Sequence, residues 1–206
     1  MKSQRYLGNH GEHLVIKGLI FDMDGTITVP YIDWKSLRAK IGAALDKTLM
    51  QYIESLPPDR SAWAHNVLLD AEREAAANAE INAGVHELID HLIAKGMRLA
   101  LVTNNHGEAM RTVLKRYGLR FDVALSRDDG EIKPSPVLIH KALQALGLPP
   151  DEVIGIGDGR YDIESCRLAG VRCIYLTHGN PMLNHKPCVA TLAEIIDFLQ
   201  SDGFAQ

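Results

Sequence analysis

Leu14-Val15-Ile16-Lys17-Gly18-Leu19-Ile20-Phe21-Asp22-Met23-Asp24-Gly25-Thr26 runs from a short branched apolar stretch straight into two carboxylates and a glycine. An apolar run of this length, closed by polar residues, reads as a parallel strand buried on both faces. If the strand continues, residues two apart face the same way, so Asp22 and Asp24 would share one side. Gly25 permits a sharp turn there and lets backbone N–H groups approach an anion. Two acids alone could equally cap a helix or sit in a solvated turn, so the rest of the chain has to decide.

The same pattern recurs at residues 98–102, 153–156 and 172–176, with a weaker strand over 123–125. Between the strands lie helical patterns over 85–95, 108–117, 136–146, 163–169 and 192–200. Gly96, Gly118, Gly147 and Gly170 are placed as C-terminal stops. Strand then helix, repeated, predicts an α/β fold with a doubly wound, Rossmann-like parallel sheet and right-handed crossovers. Residues 30–83 break the rhythm. They hold no convincing strand and read as helices over 34–49 and 60–80, separated by Pro57-Pro58. The organisation expected is a core domain of residues 1–29 and 84–206, with a small α-helical cap, residues 30–83, inserted after the first strand.

In open α/β sheets the ligand sits beyond the carboxyl ends of the strands, and here those ends carry reactive polar groups. The first strand ends at Asp22 and the second at Thr103-Asn104-Asn105, whose hydroxyl and amides can donate to phosphate oxygens. Lys133 lies in the loop after the third, held by Pro134, and the fourth ends at Gly157-Asp158. Asp158 and Asp162 are four apart at a helix start, a spacing that can put both on one face, although acids there could merely complement the helix dipole. Each signal is weak alone. Together they predict one cleft. Asp22, Asp24, Asp158 and Asp162 would repel one another without compensation, so a hard divalent cation with oxygen ligands, Mg2+, is the natural neutraliser.

Composition narrows the partners. With 206 residues, 46% hydrophobic, the chain has room for one full core and an accessory domain. A net charge of −4 provides no basic field for nucleic acid or anionic lipid, and no apolar run is long enough to span a bilayer. Neither nucleic acid nor a membrane is expected as a partner. Cys166, Cys173 and Cys188 form no C-x-x-C pair, and residues 1–13 are polar with no secretory signal, so a cytoplasmic protein is expected.

Asp22-Met23-Asp24-Gly25-Thr26, Thr103-Asn104, Lys133-Pro134 and Gly157-Asp158-Gly159-Arg160-Tyr161-Asp162, in this order, resemble the four motifs of the haloacid dehalogenase superfamily, in particular its phosphoglycolate-phosphatase-like members with a helical type 1 cap. The resemblance covers residues 14–29 and 84–200. Two departures are Gly159, where many relatives carry Ser or Thr, and the shortness of the insertion. The resemblance implies a Mg2+-dependent phosphatase hydrolysing a small phosphorylated metabolite, a phosphate monoester, through an aspartyl-phosphate on Asp22. Asp24 would be general acid and then base, and Lys133 would offset the repulsion between Asp22 and the phosphoryl oxygens. Thr103, Asn104 and Gly25 would hold the phosphate. Asp22, Asp24 (through its backbone carbonyl) and Asp158 would hold Mg2+, with Asp162 one layer further out. The alternatives are a sugar-phosphate mutase of the β-phosphoglucomutase kind, which shares Asp22 and Asp24, and a non-catalytic regulatory module. A dehalogenase would lack the second acid. In the cap, Trp34 and Trp63 read as packing the cap onto itself, and His106 as an exposed helix-start residue.

Overall fold

The structure, a computed structural model, describes residues 15–44 and 47–200; the reading of residues 1–13 falls outside them. The strands are β1 (Gly18–Phe21), β2 (Arg98–Val102), β3 (Val123–Leu125), β4 (Val153–Gly157), β5 (Arg172–Leu176) and β6 (Cys188–Val189). They form one parallel sheet in the order β3-β2-β1-β4-β5-β6. The helices are α1 (Trp34–Ile41), α2 (Leu49–Glu54), α3 (Pro58–Asn78), α4 (Val85–Ala94), α5 (Gly107–Tyr117), α6 (Val137–Leu146), α7 (Arg160–Leu168) and α8 (Ala193–Gln200). The α/β parallel-sheet architecture expected from the sequence is the one found. β6 has only two residues, too few to leave a pattern in the sequence.

Strand side chains alternate between two cores, as a pleated strand requires. Leu19, Phe21, Leu99 and Leu101 pack with α4, α5 and α8 on one face, while Ile20, Ala100 and Val102 pack with α6 and α7 on the other. Each fully buried Leu or Phe contributes about 1.5–3 kcal/mol, which holds the sheet between its helix layers. The chain builds outward from β1 to β3, then crosses back to β4 on the other side of β1, which creates a switch point between β1 and β4. Phe21 pairs with Ile156 there, and the Asp22 N–H donates to the Ile156 carbonyl at 2.9 Å. The ends of the two strands are therefore level, and the residues that follow them meet.

Residues 30–79 form a helical body with its own small core of Leu37, Ile41, Leu49, Ile53, Ala64 and Leu68. The helix expected over 34–49 is instead two. Gly42, at φ 85°, takes the left-handed conformation that ends α1, and Thr48 starts α2 with a reciprocal capping box to Gln51. The helix expected over 60–80 is α3, which opens on Pro58, where a missing N–H costs nothing. The tryptophans do not pack the cap core. Trp34 and Trp63 are 41% and 39% exposed, and the Arg60 guanidinium lies 4.8 Å from the Trp63 ring centre. The outgoing and returning connections pair, Val29 N–H to Glu80 and Asn82 N–H to Ile27, at 2.8 and 2.9 Å. The Asn82 amide also donates to the carbonyls of Gly25, Thr26 and Thr28, tying the returning chain to the turn after β1.

Candidate active site

Beyond the carboxyl ends of β1, β2 and β4 lies a cavity of about 360 Å³ whose wall includes Asp22, Asp24, Thr103, Lys133, Asp158 and Asp162. Residues 140 positions apart in sequence meet here because parallel strands with level ends deliver them to one edge of the sheet.

Lys133 is the hub. Its ammonium reaches Asp22 Oδ1 at 2.5 Å, Asp162 Oδ1 at 2.6 Å and the Val102 carbonyl at 3.0 Å, so all three of its N–H groups have acceptors. Burial alone would lower the proton affinity of Lys133, but the charges of Asp162 and Asp22 outweigh it and hold the group above its ordinary value, fully cationic. The loop bearing Lys133 is clamped by Asn104, whose side-chain amide donates to the Lys133 carbonyl and accepts from its N–H, both at 2.9 Å. Asn104, read from the sequence as a phosphate binder, therefore has its amide engaged in positioning Lys133, although it also borders the cavity.

Gly25 is placed differently as well. Its N–H donates to the Thr28 carbonyl at 2.8 Å, and its carbonyl accepts from Asn82 and from His178 Nε2. A glycine is nevertheless required: φ is +82°, and a Cβ would stand 2.0 Å from Asp158 Oδ2. The turn is stripped of a side chain so that Asp158 can approach Asp22.

The acids are charged at a cost. Burial raises the Asp22 carboxyl well above the usual carboxylate range, with Lys133 opposing it and Asp162 and Asp158 adding to it. Asp158 is pushed up to about 6, by burial first and then by Asp162. Asp24 is also pushed up to about 6, by burial first and by Glu72, against a hydrogen bond from Asn105. Asp162 accepts from the Gly159 N–H at 3.1 Å, so it both starts α7 and holds Lys133.

Oxygens of Asp22, Asp158 and Asp162 lie within 4.8 Å of one another. An all-carboxylate donor set with uncompensated negative charge fits a hard divalent cation such as Mg2+. Asp22 and Asp158 are the two carboxylates expected as ligands, and Asp162 is the third carboxylate beside them. Its oxygens already accept from Lys133 and Gly159, which leaves it beside the pair formed by Asp22 and Asp158.

A link between the cap and the loops that follow β2 and β3 was not legible in the sequence. Glu72, on the cap helix α3, is 1% exposed and bonds both His106 and Arg127, which follow β2 and β3. His106 is therefore buried rather than an exposed helix-start residue. In the sequence Glu72 is one acid among several on an amphipathic helix, and nothing there singles it out.

A family model described as haloacid dehalogenase-like hydrolase matches residues 28–176. The chain belongs to the haloacid dehalogenase-like hydrolases. In this hydrolase the matched span takes in Thr103, Lys133 and Asp158, while Asp22 and Asp24 lie just upstream of it at the end of β1. An uncharacterised hydrolase of Saccharomyces cerevisiae is 30% identical over 90% of this chain and 92% of its own. A phosphoglycolate phosphatase of Aquifex aeolicus is 28% identical over 88% of this chain and 94% of its own. Among solved structures, a superfamily hydrolase from Ehrlichia chaffeensis superposes with a TM-score of 0.64 at 26% identity, over 90% of this chain and 97% of that one. Among the described residues no helix is long and apolar enough to cross a membrane.

Proposed function

We propose that the protein is a Mg2+-dependent phosphatase that transfers the phosphoryl group of a small phosphate monoester to Asp22 and then to water. The observation that carries this is the Asp22–Lys133 contact at 2.5 Å on the wall of a cavity that Asp24 and Thr103 also line. The similarity to a phosphoglycolate phosphatase supports it.

A buried carboxylate is a competent nucleophile toward phosphorus only if the repulsion from the phosphoryl oxygens is offset. Lys133 supplies a fixed positive charge on Asp22 Oδ1, beside the oxygen that attacks, and the Thr103 hydroxyl stands at the end of β2 to hold a phosphoryl oxygen. Asp22 Oδ2 attacks phosphorus, and the ester oxygen departs with a proton from Asp24. Asp24 then takes a proton from water, whose oxygen attacks the same phosphorus, releasing phosphate and regenerating the Asp22 carboxylate. A proton affinity of about 6 suits Asp24 to both tasks near neutral pH. Asp22, Asp158 and the Asp24 carbonyl would hold Mg2+, which when bound neutralises phosphoryl charge.

The test is phosphate release from phosphoglycolate, sugar phosphates and nucleotides, with Mg2+ and with EDTA. Chelator-sensitive release is expected. Isomerised sugar phosphate in place of free phosphate would establish a mutase, and no turnover of any ester would overturn the catalytic reading.

A further inference from the structure

Part of the lining of the catalytic cavity is apolar. Trp34, the first residue of α1, opens onto it with 41% of its surface exposed, alongside Leu49 and Met50 from the start of α2, Leu68 from α3 and Ile132 from the loop before Lys133. A tryptophan left half-open at the start of a helix while smaller side chains fill the cap core beside it is available for a ligand. Asp33 caps that helix, accepting from the Ser36 N–H at 3.0 Å, so the position of Trp34 is set by the backbone.

The cations bordering the same cavity already have partners. Lys133 holds Asp22 and Asp162, and Arg127 holds Glu72. Arg38 donates to the carbonyls of Ala44 and Lys47 at 2.6 and 3.0 Å. Arg160 lies over the Tyr161 ring and donates to its hydroxyl. The remaining Arg127 nitrogen without a partner, Nη2, is sealed from solvent. A second anionic group on the substrate would enter a cavity with Asp24 and Glu72 on its wall and would share its guanidiniums with the contacts they already make, whereas an apolar ring would meet a matching surface.

Building on the phosphatase reading, we propose that the alcohol released from the phosphate ester carries an uncharged, apolar ring that lies against Trp34. The cavity volume of about 360 Å³ leaves room for such a ring beyond the phosphoryl group, which a two-carbon acid would not fill.

A matched pair of esters isolates the ring: 2-phenylethyl phosphate and ethyl phosphate release primary alcohols of similar leaving ability and differ only in the phenyl group. The expected kcat/KM ratio in favour of the ring is about tenfold or more, the size of ring burial and stacking in a preformed pocket. Trp34→Ala should collapse that ratio several-fold, and Trp34→Phe should keep most of it. 2-Phosphoglycolate, with its second anion, should rank below the phenylethyl ester. Phosphate release at equal efficiency from both alkyl esters, or a ratio unmoved by Trp34→Ala, would overturn the ring proposal and leave the phosphatase reading standing. No release from any of the three esters would overturn both.

Discussion

Replacing Lys133 with Met keeps the length of the side chain and removes its charge, and the consequences follow from three contacts. The ammonium is 4% exposed and neutralises Asp22 at 2.5 Å and Asp162 at 2.6 Å, while Val102 gives it a third acceptor at 3.0 Å. Removing one member of a buried ion pair leaves the other charged and unpaired, at about 3–5 kcal/mol. For a chain of this length that lowers Tm by about 6–20 °C. The penalty depends on pH in a definite direction. Burial already raises the Asp22 carboxyl, and without Lys133 nothing nearby opposes it. A carboxyl whose proton affinity is higher folded than unfolded adds stability that is complete at low pH and is lost as pH rises through its folded value. The gap between variant and wild type should therefore be widest near about pH 7.5 and narrow toward about pH 5, as the orphaned Asp22 carboxyl takes up a proton. Urea denaturation of both proteins in EDTA across that range measures it. A loss below about 1 kcal/mol at neutral pH, as for an exposed pair, or a gap that widens on acidification, would refute the reasoning.

Asp22→Asn should abolish turnover yet match or exceed wild-type stability in EDTA, because a buried carboxylate is replaced by a neutral isostere; thermal unfolding and phosphate release, measured together, check this. Gly25→Ala forces a side chain into left-handed backbone, at about 1–2 kcal/mol, and pushes against Asp158. The Mg2+ concentration needed for half-maximal thermal stabilisation should rise about tenfold or more, since a carboxylate ligand would be displaced from its position. Mg2+ itself should raise Tm at neutral pH and do so progressively less as pH falls through about 6, where Asp158 takes up a proton that competes with the ion. Differential scanning fluorimetry at several pH values reads this directly, and a pH-independent shift would count against Asp158 as a ligand.

The strands and helices of the sheet were legible because each must bury a continuous apolar face, and that requirement writes itself into local periodicity. Even the break of the first cap helix was present as Gly42 and the Thr48–Gln51 pair, signals outweighed by the apolar spacing around them. The roles of Asn104 and Gly25 were harder to read. An amide and a glycine beside phosphate-handling residues suggest ligand contact, but the amide is bonded to the Lys133 backbone and the glycine leaves space for the Asp158 carboxylate. Glu72 shows the limit most clearly. Nothing distinguishes it from Glu74 until α3 is laid against the ends of β2 and β3, where Glu72 becomes the partner of His106 and Arg127 while Glu74 stays at the surface.

Local pattern was enough for the α/β fold, for a helical stretch after the first strand and for the polar residues that end β1, β2 and β4. Each of these follows from the periodicity of burial and the polar residues that end each strand. The Lys133 hub, the three-carboxylate cluster, the buried Glu72 link and the opening of Trp34 onto the cavity came from the folded chain. These depend on distances between residues far apart in the chain, which local pattern does not encode.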